Sequence, residues 1–219
     1  VAQRTSAVRE YFKFLYRNEF INRNPAEMLE APQIKNREQS ALNGEQVRAM
    51  VNAATNERNK AIIMMLAQTG LRIHELANIT LEQYESRSNN VLVIRGKGDK
   101  DRLVGLADET IKLIDSYIAN ERKDGCEYLF VGNRGNKMDG KNTSAMLKVC
   151  ARKAGIENWE ELHISNHTMR RTFATMMSEA DVPIEVISKA MGHSGIQITS
   201  RYVKRTEQRA VNAMSVVNF

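Results

Sequence analysis

Three stretches of this chain carry side chains that could act on a phosphodiester. The last quarter holds His167-Thr168-Met169-Arg170, then Gly192-His193, then Tyr202. His193 follows Arg170 by twenty-three residues, and Tyr202 follows His193 by nine. Upstream stand Thr69-Gly70-Leu71-Arg72 and Gly96-Lys97-Gly98. A phosphodiester is anionic and gains charge in its transition state. Breaking it takes cations at the non-bridging oxygens, a nucleophile, and an acid for the leaving oxygen. Arg72 and Arg170 suit the first task, because a guanidinium is always charged, planar and bidentate. Tyr202 is the candidate nucleophile; its ordinary pKa of about 10 calls for a neighbouring base or a cationic field. His167 lies three residues before Arg170 on one predicted helix, so the two share a face. It can accept the tyrosine proton or hold the phosphate. His193 can donate a second hydrogen bond there, and Lys97, on a hairpin tip, can reach a leaving 5′-oxygen as general acid. No metal and no cofactor is needed.

Each residue alone has a duller reading. Gly70-Leu71-Arg72 is then a helix end with a surface arginine, Lys97 a turn lysine, His193 a loop histidine and Tyr202 a core aromatic. Order and spacing carry the weight. His163 and His167, four apart, could form a metal pair on a helix. Cys126 and Cys150 are distant, however, and Ser165-Asn166 reads as a helix start between the histidines, so no zinc site is expected.

Several elements must position these groups. A helix is predicted from about Ser6 to Phe20, with Val8, Tyr11, Phe12, Leu15 and Tyr16 on one apolar stripe. Polar Pro32 to Leu42 reads as a linker. Asn43 can cap the next helix with Gln46 in the reciprocal position, and Val47, Met50, Val51 and Ala54 give that helix an apolar face. The helix from about Glu57 to Gln68 contains Ala61 to Ala67, apolar on every side, and is predicted to be central and buried. Gly70 ends it, which delivers Arg72 to a fixed point at the edge of the core. Asn90–Ile94 and Arg102–Val104 are β-prone, with a Gly96–Lys100 turn between them. A short strand at Gln83–Ser86 would complete a small sheet. Further helices are predicted at about Asp108–Arg122, Gly140–Ala154, His167–Glu179, Ile184–Met191 and Thr206–Val216. The fold class is mainly α with a small antiparallel β-sheet (α+β).

The bulk properties agree. An apolar content of 42% and a charged fraction of 26% over 219 residues are ordinary for a globular chain. No run of eighteen apolar residues exists, so no membrane span is expected. Val1-Ala2-Gln3-Arg4 lacks the core of a signal peptide, and the missing initial Met points to a piece of a longer protein. Two cysteines make no disulfide framework, which favours a reducing cytoplasm. Lys and Arg outnumber Asp and Glu by 32 to 26, a net +6 compatible with a nucleic-acid partner.

Thr69-Gly70-Leu71-Arg72-Ile73-His74-Glu75-Leu76, Arg95-Gly96-Lys97-Gly98-Asp99-Lys100, His167 through Thr175, and Met191-Gly192-His193-Ser194 through Tyr202 resemble the tyrosine recombinases, the phage-integrase family. The match runs roughly from Leu42 to Val203. Arg171, Met191 and His74 depart from the family's usual His, Leu and small residue without removing a catalytic group.

The resemblance implies the DNA breaking-rejoining fold and a role for each residue. Arg72 and Arg170 clamp the scissile phosphate, and Glu75 anchors Arg72. Lys97 is general acid, His167 general acid/base, and His193 fills the position taken by His or Trp. Tyr202 forms a 3′-phosphotyrosyl link and frees a 5′-hydroxyl. A 5′-hydroxyl of the partner duplex reverses the step without ATP or metal. Lys100, Arg102, Lys141, Arg171 and Arg201 are then candidate contacts to DNA phosphates.

The implied partners are double-stranded DNA, a homo-tetramer formed on it (monomer without DNA) and accessory DNA-bending proteins, in a cytoplasmic, nucleoid-associated setting. Residues 1–31 resemble the end of a core-binding (SAM-like) domain, 32–42 a linker, 43–203 the catalytic domain, and 204–219 a tail exchanged between protomers through Val211, Met214 and Val217. An integrase of a mobile element is the leading expectation and a chromosome- or plasmid-dimer resolvase the near alternative. A DNA-binding regulator that lost catalysis is the reading from another class; the six intact residues argue against it.

Overall fold

A computed structural model of the chain describes residues 2–30, 41–95 and 101–192. The chain divides into two compact units, on either side of Gln39 and Ser40.

In the first unit, α1 (Ala2–Arg17) forms as the spacing predicts. Its apolar stripe is only partly covered. Phe12 and Leu15 are half-buried, whereas Val8, Tyr11 and Tyr16 are exposed.

The second unit begins before the predicted linker ends. Leu42 is buried in the core, and its N–H donates to Thr172 Oγ1 at 3.0 Å. The cap of α2 (Gly44–Ala53) is the expected reciprocal one: Gln46 N–H donates to Asn43 Oδ1 at 2.8 Å, and Asn43 N–H to Gln46 Oε1 at 2.9 Å. α3 (Glu57–Thr69) buries Ala61, Ile62, Ile63, Met65, Leu66 and Ala67 over most of its circumference, while Glu57, Lys60, Met64 and Gln68 form one partly buried stripe. It packs against α2 and against two later helices, α6 (Asp108–Asn120) and α8 (Asn166–Glu179).

Gly70 stops α3 in the left-handed conformation at φ 60°. A Cβ there would lie 2.4 Å from the ring of Phe173, so both backbone and packing require glycine.

Two short helices come next, α4 (Ile73–Asn78) and α5 (Leu81–Glu85). The second corrects the strand expected at Gln83–Ser86. Thr80 caps α5, Gln83 N–H donating to Thr80 Oγ1 at 3.1 Å and Thr80 N–H to Gln83 Oε1 at 2.9 Å, while Tyr84 turns into the core. Among the described residues the sheet has two antiparallel strands, β1 (Val91–Arg95) and β2 (Asp101–Gly105), paired Val91 with Gly105 and Ile94 with Arg102. Leu92, Ile94 and Val104 point into the core.

α7 (Gly140–Lys153) and α9 (Ile184–Met191) complete the described helices; apart from α4 and α5, which are not among the predicted helices, these lie within a few residues of their predicted bounds. α9 packs its Ile187 and Met191 against Ala174 of α8 as a small second core. Among the described residues no helix is long and apolar enough to cross a membrane. The Gly96–Lys100 turn and the helix expected at Thr206–Val216 lie outside the described residues.

Candidate active site

The site is assembled at three chain ends: the stop of α3, the entry to α4, and the last turn of α9. After Gly70, buried Leu71 fixes the path, and Arg72 becomes the N-cap of α4 with an extended backbone. Its N–H donates to Glu75 Oε2 at 2.7 Å, and its Nη1 donates to Glu75 Oε1 at 3.0 Å. The free Nη2 corner of the same fork donates to the carbonyl of Gly192 at 3.1 Å.

Glu75 is almost wholly buried, and a buried carboxylate needs partners. Arg102, from β2, supplies them: Nη1 donates to Oε1 at 2.9 Å and Nη2 to Oε2 at 2.7 Å. Burial by itself would raise the Glu75 pKa. The guanidinium of Arg102 and the N–H and guanidinium of Arg72 outweigh it and hold the carboxyl at about 2. Glu75 is therefore a fixed anion behind Arg72.

Arg170 comes from α8. Ser165 starts that helix, its N–H donating to Thr168 Oγ1 at 3.2 Å. One turn on, Arg170 lies buried between Met169 and the partly buried Arg171. Its Nη1 donates to the carbonyl of Gly70 and its Nη2 to that of Met191, the latter at 2.5 Å. Arg102 Nε completes the pattern by donating to the carbonyl of Ala190 at 3.2 Å. Three successive carbonyls at the end of α9 thus each receive a different arginine. Carbonyls at a helix C-terminus have no partner within the helix and carry its partial negative charge, so cations suit them. Gly192 turns away at φ 63°, and a Cβ on it would lie 3.2 Å from Arg102 Nη1.

Of the residues singled out in the sequence, the structure brings Arg72, Glu75, Arg102 and Arg170 into this one network. His167 stands on the first turn of α8 with its side chain exposed. His163 is in the turn before that helix, at φ 47°, and so shares no helix face with His167. Lys141 is exposed in the first turn of α7, where the neighbouring Gly140 packs on Ile73 beside Arg72. Arg171 is partly buried and donates to Thr168 Oγ1 at 3.2 Å.

Arg102, expected among the contacts to DNA phosphates, is only 11% exposed, and its fork is given to Glu75 and Ala190. Lys97, Lys100, His193, Arg201, Tyr202, Val211, Met214 and Val217 lie outside the described residues. In the chain, His193 directly follows Gly192, and Gly96 directly follows the last residue of β1.

A shallow cleft of about 500 Å³ on the outer face of the hairpin, lined by Arg87, Val93, Arg95 and Leu103 among others, shares no residue with this network. Two guanidinium forks ending on adjacent carbonyls are the better candidate site. Phosphate oxygens are the acceptors that most readily take the place of carbonyl oxygens on arginine.

The phage integrase family model matches residues 40–209 of the chain. Tyrosine recombinase XerA of Pyrococcus horikoshii is 32% identical over 211 residues, covering 95% of this chain and 70% of the relative. A crystal structure of XerA recombinase matches at a TM-score of 0.69 and 25% identity, over 99% of this chain and 76% of that one. The integrase of transposon Tn1549, in complex with circular intermediate DNA, has the same fold at a TM-score of 0.78. Its identity is 19%, over 98% of this chain and 78% of that one.

Proposed function

The chain belongs to the phage integrase family, the tyrosine recombinases, and from that premise we propose that Arg72 and Arg170 clamp a scissile DNA phosphate for attack by Tyr202. The observation that carries this reading is their convergence on the adjacent carbonyls of Met191 and Gly192, one peptide bond before His193. On binding, the non-bridging oxygens take over guanidinium hydrogen bonds now given to those carbonyls.

The Tyr202 oxygen then attacks phosphorus, a 3′-phosphotyrosyl bond forms, and the bond to the 5′-oxygen breaks. Lys97 gives that oxygen its proton, and His167 takes the proton of the tyrosine. A 5′-hydroxyl of a partner duplex attacks the phosphotyrosyl bond and frees Tyr202, so the number of phosphodiesters is conserved and no energy source is needed. His193 holds the phosphate from the side of α9. Two cleaved duplexes require four active sites, which supports a homo-tetramer on double-stranded DNA.

A nicked half-site of the target, from which the short 5′ fragment diffuses away after cleavage, tests the chemistry. Wild-type protein should form an SDS-resistant adduct in the presence of chelator, and Tyr202→Phe should not. A wild-type chain that retards this DNA yet never forms the adduct would leave a DNA-binding regulator as the reading. For the biological setting, integration of a mobile element is the proposal. A plasmid dimer carrying two sites that is resolved to monomers, with no insertion of a circle into a second molecule, would replace it with dimer resolution.

A further inference from the structure

Arg102 occupies a position that strand alternation assigns to the core. It shares the inner face of β2 with Val104 and stands opposite Ile94. A guanidinium there is costly unless it is fully hydrogen-bonded and paired. The pairing it finds joins three elements: both oxygens of Glu75 on α4, the Ala190 carbonyl at the end of α9, and close packing on Gly192.

Building on the recombinase reading, we infer that Arg102 is a positioning residue for strand cleavage and contacts no phosphate itself. It acts in two directions. Through Glu75 it fixes the carboxylate on which Arg72 is mounted. Through Ala190 it fixes the turn whose next two carbonyls hold Arg170 and Arg72 and whose next residue is His193. One side chain therefore sets the spacing between the clamp and the start of the segment that carries the nucleophile. Lysine cannot substitute, because its single ammonium cannot bond two carboxylate oxygens and a carbonyl in one plane.

The test uses Arg102→Lys and Arg102→Met, with single-turnover cleavage of the nicked substrate at saturating DNA, and binding followed by anisotropy over a salt series. Thermal unfolding establishes that each variant is folded. A displacement of about 1 Å far from the reacting atoms can cost about 10²-fold in rate. Arg102→Met should lose cleavage on that scale and Arg102→Lys at least about tenfold, with affinity and salt slope unchanged.

A salt slope reduced by about one, with a wild-type cleavage rate at saturation, would overturn the inference and make Arg102 a backbone contact. So would a wild-type rate in Arg102→Lys, which decides the matter if Arg102→Met does not fold. Combining Glu75→Gln with the folded Arg102 variant should cost no more rate than the worse single change, since both act through one mount. Full additivity would count against the inference. A wild-type protein that forms no adduct refutes the recombinase reading instead, so the two failures are distinguishable.

Discussion

Arg72 and Arg170 reach the same turn of α9 from unlike settings. Arg170 is 5% exposed and bridges the carbonyl that ends α3 to one that ends α9. Arg72 keeps 33% of its side chain exposed and leans on a carboxylate that Arg102 also holds. Taking a donor from a buried carbonyl leaves an acceptor that water does not reach, whereas a rim guanidinium already shares its bonding with solvent. The part proposed for both thus falls to one residue built into the fold and another mounted on it. Arg170 should matter to stability and to cleavage, and Arg72 mainly to cleavage.

The largest effect should come from Arg170→Ala. It strands two buried carbonyls at about 1–3 kcal/mol each and removes half of the clamp. Calorimetry should show a clear fall in Tm together with loss of the covalent adduct; an inactive variant that melts like wild type would erase the distinction between the two arginines.

Next is Arg72→Ala, expected to slow adduct formation by about 10²–10³ while stability moves by less than about 1 kcal/mol. A melting shift as large as that of Arg170→Ala would show that the rim position is structural after all.

The most specific effect concerns pH. Glu75 is held at about 2 in the folded chain, below its ordinary range of about 4.3–4.5. Its contribution, about 3 kcal/mol from that difference, is complete above the unfolded value and is lost as pH falls towards 2. Urea titrations should therefore show Glu75→Gln less stable than wild type at neutral pH, with the gap closing between about pH 4.5 and 2. A gap that is constant over this window would mean that Glu75 titrates normally.

Local signals were the legible ones. Asn43 with Gln46, the all-round apolar run of α3 and the Gly70 stop are written within a few residues of one another, and the structure has them as expected. Thr80-x-x-Gln83 is an equally local capping signal, yet the β-prone stretch that follows it favours a strand at Gln83–Ser86. Arg102 could not be read in this way. Its partner Glu75 lies 27 residues away and its other acceptor is a backbone carbonyl 88 residues away, which no side-chain pattern announces. The stripe on α1 shows the converse limit. Spacing predicts the helix, but what covers its apolar side is not a property of the helix alone.

α3 has one further consequence, for the length of the chain rather than its chemistry. Asn56 pins one end, accepting from the N–H of Asn59 at 2.9 Å, and Gly70 pins the other. One residue gained or lost between them would swing everything beyond by about 100° and slide it by about 1.5 Å. The Gly70 carbonyl would leave Arg170, and Arg72 would leave Glu75. A helix buried over most of its circumference offers no equivalent second orientation to absorb the turn. The turn at Asn133–Asn136 is exposed, whereas the thirteen residues of α3 act as a gauge whose count is itself under constraint.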